Sequence, residues 1–146
     1  MNPSLRATYP ALTDEDIDML ERGLQVREVA AGEVLIAEGS VSNVLYLIQR
    51  GSATVRKEHL GMEVDIADLA EGELFGEMSL LLQEPATASV VMATDGTIAS
   101  MSGNEIRALA ASRPGMDTRL YHSLARVLAR RLAKMSRVTI PSFVGG

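Results

Sequence analysis

The stretch FGEMSLLLQEPATASVV, Phe75 to Val91, sets out a turn, a short apolar run and a return to strand-like sequence. Gly76 supplies the turn, Glu77 follows as an acid, and Pro85 separates the apolar run from β-branched residues. Backbone amides at the start of a helix that follows a glycine turn form a cradle for an anion. Yet no Lys or Arg lies within the stretch. Such a cradle poses a definite question: which group meets the anion's charge?

The sequence on either side is strand-like. VREVA, VLIAEG, NVLYLIQRG, SATVRKEH, MEVDIADL, ELFGE, TASVVM and GTIASMS are short runs rich in β-branched and aliphatic residues. Glycine-containing turns separate them at spacings of about 10 residues, the signature of a small antiparallel barrel or sandwich. One hairpin is legible residue by residue. SATVRKEHLGMEVDIADL alternates on both sides of Leu60-Gly61, and Gly61 provides the positive φ of a tight turn. Pairing about that turn puts Val55 opposite Ile66, Arg56 opposite Asp65, and Glu58 opposite Glu63.

Helical patterning bounds the β region. LTDEDIDMLERGL starts with Thr13 as a cap and with Asp14, Glu15 and Asp16 in the first turn, where acids favour the helix dipole. Ile17, Leu20 and Leu24 share one face of it. After Ser102, GNEIRALAASR predicts a short helix ending before Pro114, and a longer helix runs from about Pro114 to Val138. On the longer one Leu120, Leu124, Val127 and Leu128 form an apolar stripe continued by Leu132 and Met135. Arg126, Arg130, Arg131, Lys134 and Arg137 make its polar face.

Composition narrows the function. The 146 residues suffice for one domain, taken as 1–146 with a core over about 12–137. A net charge of −5 argues against a nucleic-acid partner. With no cysteine and only His59 and His122, neither a thiolate nor a histidine metal site is expected. His59 falls at a hairpin tip, where solvent is the default, and His122 beside the apolar stripe. No secretion signal and no run long enough to span a membrane are present, which points to a cytoplasmic protein. No Ser-His-acid order, metal-spaced cluster or P-loop suggests an enzyme.

Two blocks carry a family resemblance. LIAEGSVSNVLYLIQRG, residues 35 to 51, places apolar residues around Gly39 and Gly51, with Ser40 and Ser42 as departures from the usual acid or amide and small residue. FGEMSLLLQEPATASVV resembles a phosphate-binding cassette. Together they resemble the cyclic-nucleotide-binding domain family of catabolite-activator and Fnr-type regulators, kinase regulatory parts and gated channels. The resemblance implies a mainly β fold: a double-stranded β-helix, or jelly-roll-like β-roll, with an N-terminal helix and two C-terminal helices.

The same resemblance implies site roles. Glu77 takes the ribose 2′-hydroxyl, and the amides around Gly76 and Met78 meet the ribose and cyclic phosphate of cAMP or cGMP. The family's cassette Arg, which neutralises the phosphate, falls on Ala86. A charge-assisted hydrogen bond to phosphate contributes about 1.5–3 kcal/mol, so its loss weakens binding roughly tenfold to 150-fold. The hydroxyls of Thr87 and Ser89 are candidates for added neutral hydrogen bonds, or for simple exposure on one face of their strand.

Two functions remain open from the residues. One is a non-enzymatic sensor that binds a cyclic nucleotide, weakened by Ala86, and signals by shifting the last helix. The other is a protein-interaction or dimerisation module on the same fold with a vestigial pocket. Either acts through a protein partner or a homodimer along the helix at about 114–138, without nucleic acid or membrane. A transcription factor of the family needs a helix-turn-helix after that helix, and the sequence to Gly146 is too short for one.

Overall fold

The computed structural model describes residues 9–77 and 82–139, with the side chains of the last helix described as far as Lys134. The chain begins with α1 (Asp14–Gly23), whose start is fixed by a reciprocal capping box. The Thr13 hydroxyl accepts from Asp16 N at 3.1 Å while Thr13 N donates to Asp16 Oδ2 at 3.0 Å.

Eight strands follow: β1 (Gln25–Val29), β2 (Val34–Ile36), β3 (Val44–Arg50), β4 (Ala53–His59), β5 (Met62–Leu69), β6 (Leu74–Phe75), β7 (Ser89–Met92) and β8 (Gly96–Ser102). They form two antiparallel four-stranded sheets, β1-β8-β3-β6 and β2-β7-β4-β5. The expected β-roll with flanking helices is what the structure shows.

The inner strands β3 and β8 of the first sheet pack on both faces, which explains why β3 reads VLYLI rather than alternating apolar with polar. Ile48, Ile98, Phe75 and Val29 point into the roll, where they meet Ile36, Ala53, Leu69, Val90 and Met92 of the second sheet. Leu45, Leu47, Leu74, Ala99 and Met101 point the other way, into a second core. That core is closed by Ile17 and Leu20 of α1 and by two C-terminal helices, α2 (Gly103–Ser112) and α3 (Met116–Thr139). α2 starts on a Ser102 cap that accepts from Glu105 N at 3.1 Å. α3 contributes Met116, Leu120, Leu124 and Val127.

The β4–β5 hairpin corrects the expected register at one point. Arg56 faces Asp65 and Glu58 faces Glu63, as the sequence indicates, but Val55 faces Ala67 rather than Ile66. A bulge between Val55 and Arg56 absorbs Ile66. The reason lies in burial. Uninterrupted pairing would set Asp68 opposite Ala53 inside the roll, whereas the bulge sets Leu69 there and turns Asp68 toward Thr54. The turn itself has positive φ at both Leu60 and Gly61, as a tight two-residue hairpin demands.

A polar knot joins the helices. The Asp16 carboxylate, fully buried, accepts from Arg113 Nε at 2.9 Å, Arg119 Nε at 2.7 Å and Arg119 Nη2 at 3.0 Å besides Thr13 N. Arg119, ahead of Thr13 and Arg113 and against the cost of burial, holds this carboxyl well below the usual carboxylate range.

Candidate ligand site

The site is built where β6 ends. β6 pairs with β3 through Tyr46–Phe75 and Leu47–Leu74, and the rings of Tyr46 and Phe75 stack with centroids 5.0 Å apart. The Tyr46 hydroxyl reaches Leu35 O at 3.3 Å, which ties this wall to β2. The chain then turns at Gly76 with φ +94°, and a Cβ there would lie 2.4 Å from Val44 O. Glycine is required for both reasons.

Glu77 comes next and is only 3% exposed. Its Oε1 accepts from Arg131 Nη1 of α3, whose Nη2 donates to Leu74 O. Its Oε2 finds no donor among the described residues. A buried carboxylate oxygen without a donor is costly, and such atoms in native structures commonly await a ligand or water. Arg131 thus reaches the cassette from outside it, and its own burial pulls its pKa down, with Glu73 opposing.

The two sequence blocks meet on the other side. Ala86 N donates to Ser40 O and Gly39 N donates to Ala86 O, both at 2.8 Å. The Ala86 side chain is half-buried against the apolar cluster inside the roll. Thr87 is exposed, and its carbonyl accepts from Lys57 Nζ at 2.7 Å. Ser89 pairs with Arg56 and is half-buried, one position before the inward Val90, and its hydroxyl accepts from Glu38 N at 2.8 Å. Met78, the remaining predicted contact, lies outside the described residues.

Two cations near the site were not read from the sequence. The sequence puts Arg131 on the polar face with Arg126 and Arg130, and those two are exposed. It stands four residues after Val127 and seven after Leu124, so it continues the buried stripe, and that spacing was the available signal. Leu132, expected on the stripe, is instead 66% exposed, and the Met135 side chain lies outside the described residues. Lys57 carried no local signal, because its contacts come from the segment before β7 and the segment after β2.

Among the described residues no group of three His, Asp or Glu side chains can hold a metal. No helix among them is long and apolar enough to cross a membrane.

Known proteins resemble this chain in sequence and fold. The profile of the family "Cyclic nucleotide-binding domain" matches residues 26–113. The "Cyclic AMP receptor protein" of Thermus thermophilus is 34% identical over 125 residues, covering 85% of this chain and 56% of that protein. A "cAMP-dependent protein kinase regulatory subunit" of Mycosarcoma maydis is 33% identical over 107 residues, covering 73% of this chain and 19% of that one. The chain therefore spans about half of the first relative and a fifth of the second. Among solved structures, the Thermus thermophilus Catabolite Activator Protein superposes with a TM-score of 0.78 at 31% identity, covering 93% of this chain and 63% of that one. Fold and sequence lead to one assignment: the chain belongs to the cyclic nucleotide-binding domain family.

Proposed function

We propose that this chain is a regulatory, non-enzymatic sensor module that binds a cyclic nucleotide of the cAMP or cGMP class. The carrying observation is Glu77: a buried carboxylate placed by the Gly76 turn, one oxygen held by Arg131 and the other without a donor among the described residues. A ribose 2′-hydroxyl donating to Oε2 satisfies that oxygen. The amides around Gly76 and Met78 receive the ribose and phosphate, beside Ala86 and Thr87, while Ser89 steadies Glu38 behind them.

Arg131 gives the site an output. It links Glu77 to α3, so a ligand that engages Glu77 biases the position of that helix. The module passes this shift to a protein partner or to a second copy paired along α3, in the cytoplasm and without nucleic acid or membrane.

Ala86 favours a second reading. Where the family sets an Arg toward the phosphate, this chain has a methyl group against the apolar core. Binding is accordingly weak, or the pocket is vestigial and the fold serves protein contacts. Calorimetric titration with cAMP, cGMP and a cyclic dinucleotide up to millimolar concentration separates the two. Measurable heat with cAMP or cGMP, strengthened by Ala86→Arg about tenfold or more, is expected. No heat from either the native chain or Ala86→Arg overturns the sensor reading in favour of the interaction module.

A further inference from the structure

Arg131 is committed to Glu77 and Leu74 O, which leaves the phosphate position beside Ala86 without that cation. Lys57 stands near the same place. On β4, Ala53 and Val55 point into the roll, and Lys57 lies two residues further along the same face. Its ammonium donates to Thr87 O at 2.7 Å, one residue beyond Ala86, and lies 3.6 Å from Glu38 Oε2. Glu38 is held in turn by Glu58 N, which donates to its Oε1 at 2.9 Å, and by its own N, which donates to Ser89 Oγ at 2.8 Å.

An ammonium has three N–H donors on a long flexible stem. One goes to Thr87 O and another faces Glu38. Small shifts of the stem bring the charge to an anion seated over Ala86 without disturbing the backbone. The Lys57 side chain is 45% exposed, so packing does not lock its stem in one position.

We propose that Lys57 supplies, from β4, the positive charge toward the phosphodiester of the bound cyclic nucleotide that Ala86 cannot supply from the cassette. This rests on the ligand reading above. Lys57 is then a specificity-determining residue for a singly charged phosphate rather than a surface lysine.

The test is titration of 3′,5′-cyclic AMP into the full chain at low and high salt. Lys57→Met, which keeps the stem and removes the charge, weakens binding about tenfold at low salt, and the loss shrinks as salt screens a partly exposed charge. Lys57→Arg stays within about threefold of the native chain, and Ala86→Arg added to Lys57→Met restores affinity, because one phosphate cation replaces another. Should Lys57→Met unfold, Lys57→Gln gives the same comparison. Native affinity in the neutral variant overturns the role of Lys57 and leaves the ligand reading intact. A loss that Ala86→Arg fails to restore also overturns it, since Lys57 is then structural. Absence of binding by both the native chain and Ala86→Arg removes the ligand reading and this inference together.

Discussion

Two buried carboxylates mark two regions of this molecule, and they are satisfied to different degrees. Asp16, in the helical layer, has two donors on each oxygen: Thr13 and Arg119 on Oδ2, Arg113 and Arg119 on Oδ1. That fills its roughly four acceptor sites. Glu77, just past the end of β6, shows one donor on Oε1 and none on Oε2 among the described residues. Each uses arginine from α3, Arg119 in one case and Arg131 in the other. A saturated carboxylate fixes structure, because nothing is left to offer a ligand. A half-saturated one keeps a site open, and its cost is tolerable when something arrives to fill it.

The sharpest way to break this contrast is to remove the saturated member. Asp16→Ala loses the capping box and leaves Arg113 and Arg119 facing an emptied hole. A destabilisation of about 2–3 kcal/mol is expected in urea unfolding, below the figure for a fully buried pair because both arginines still reach water. A change under about 0.5 kcal/mol contradicts the structural role.

Acid probes the same node without mutation. Because Arg119 depresses the Asp16 carboxyl, its contribution is complete above the unfolded value near 4 and disappears as pH falls below it toward the folded value. The urea midpoint of the native chain should drop on acidification below about pH 4, and Asp16→Ala should lack part of that drop. Parallel curves for the two proteins mean that other carboxylates carry the acid sensitivity.

Glu77→Gln tests the other member, and the expected effect moves from stability to binding. Affinity for cAMP falls about tenfold or more as the charged acceptor is lost, while unfolding free energy moves by less than about 1 kcal/mol. Calorimetry and denaturation on the same samples give both numbers. If stability falls as far as in Asp16→Ala, Glu77 is a structural node and the contrast fails.

What the sequence revealed follows the range of the interactions. The eight strands and three helices of the described residues were legible, because alternation between glycine turns and an apolar stripe are local patterns. The Thr13 cap was legible for the same reason. The bulge at Ile66 was not, since it answers to the burial of Leu69 against Ala53 across the hairpin. Asp16 looked like one of three first-turn acids, and its arginines lie 97 and 103 residues away. The cassette pattern marks Glu77 and Ala86 as candidates, but Arg131, which pairs with Glu77, sits 54 residues away on another element. Any cation for the Phe75–Val91 stretch has to come from elsewhere in the fold, beyond the reach of a local pattern.

The smallest effect concerns the outer half of α3, beyond the two arginine contacts. Leu124 is fully buried in the helical core, whereas Leu132 is 66% exposed just past Arg131. Leu132→Gln should change the stability of the isolated chain by less than about 0.5 kcal/mol, as exposed substitutions do. If α3 pairs two copies, as proposed, the partner covers this leucine and adds a concentration-dependent contribution. The native Tm should then rise with protein concentration, and the rise should be smaller in the variant. Sedimentation at the same concentrations should show a matching loss of the larger species. Flat, superimposable Tm series for both proteins would leave Arg131 as a link from Glu77 to a helix that meets something other than its own copy.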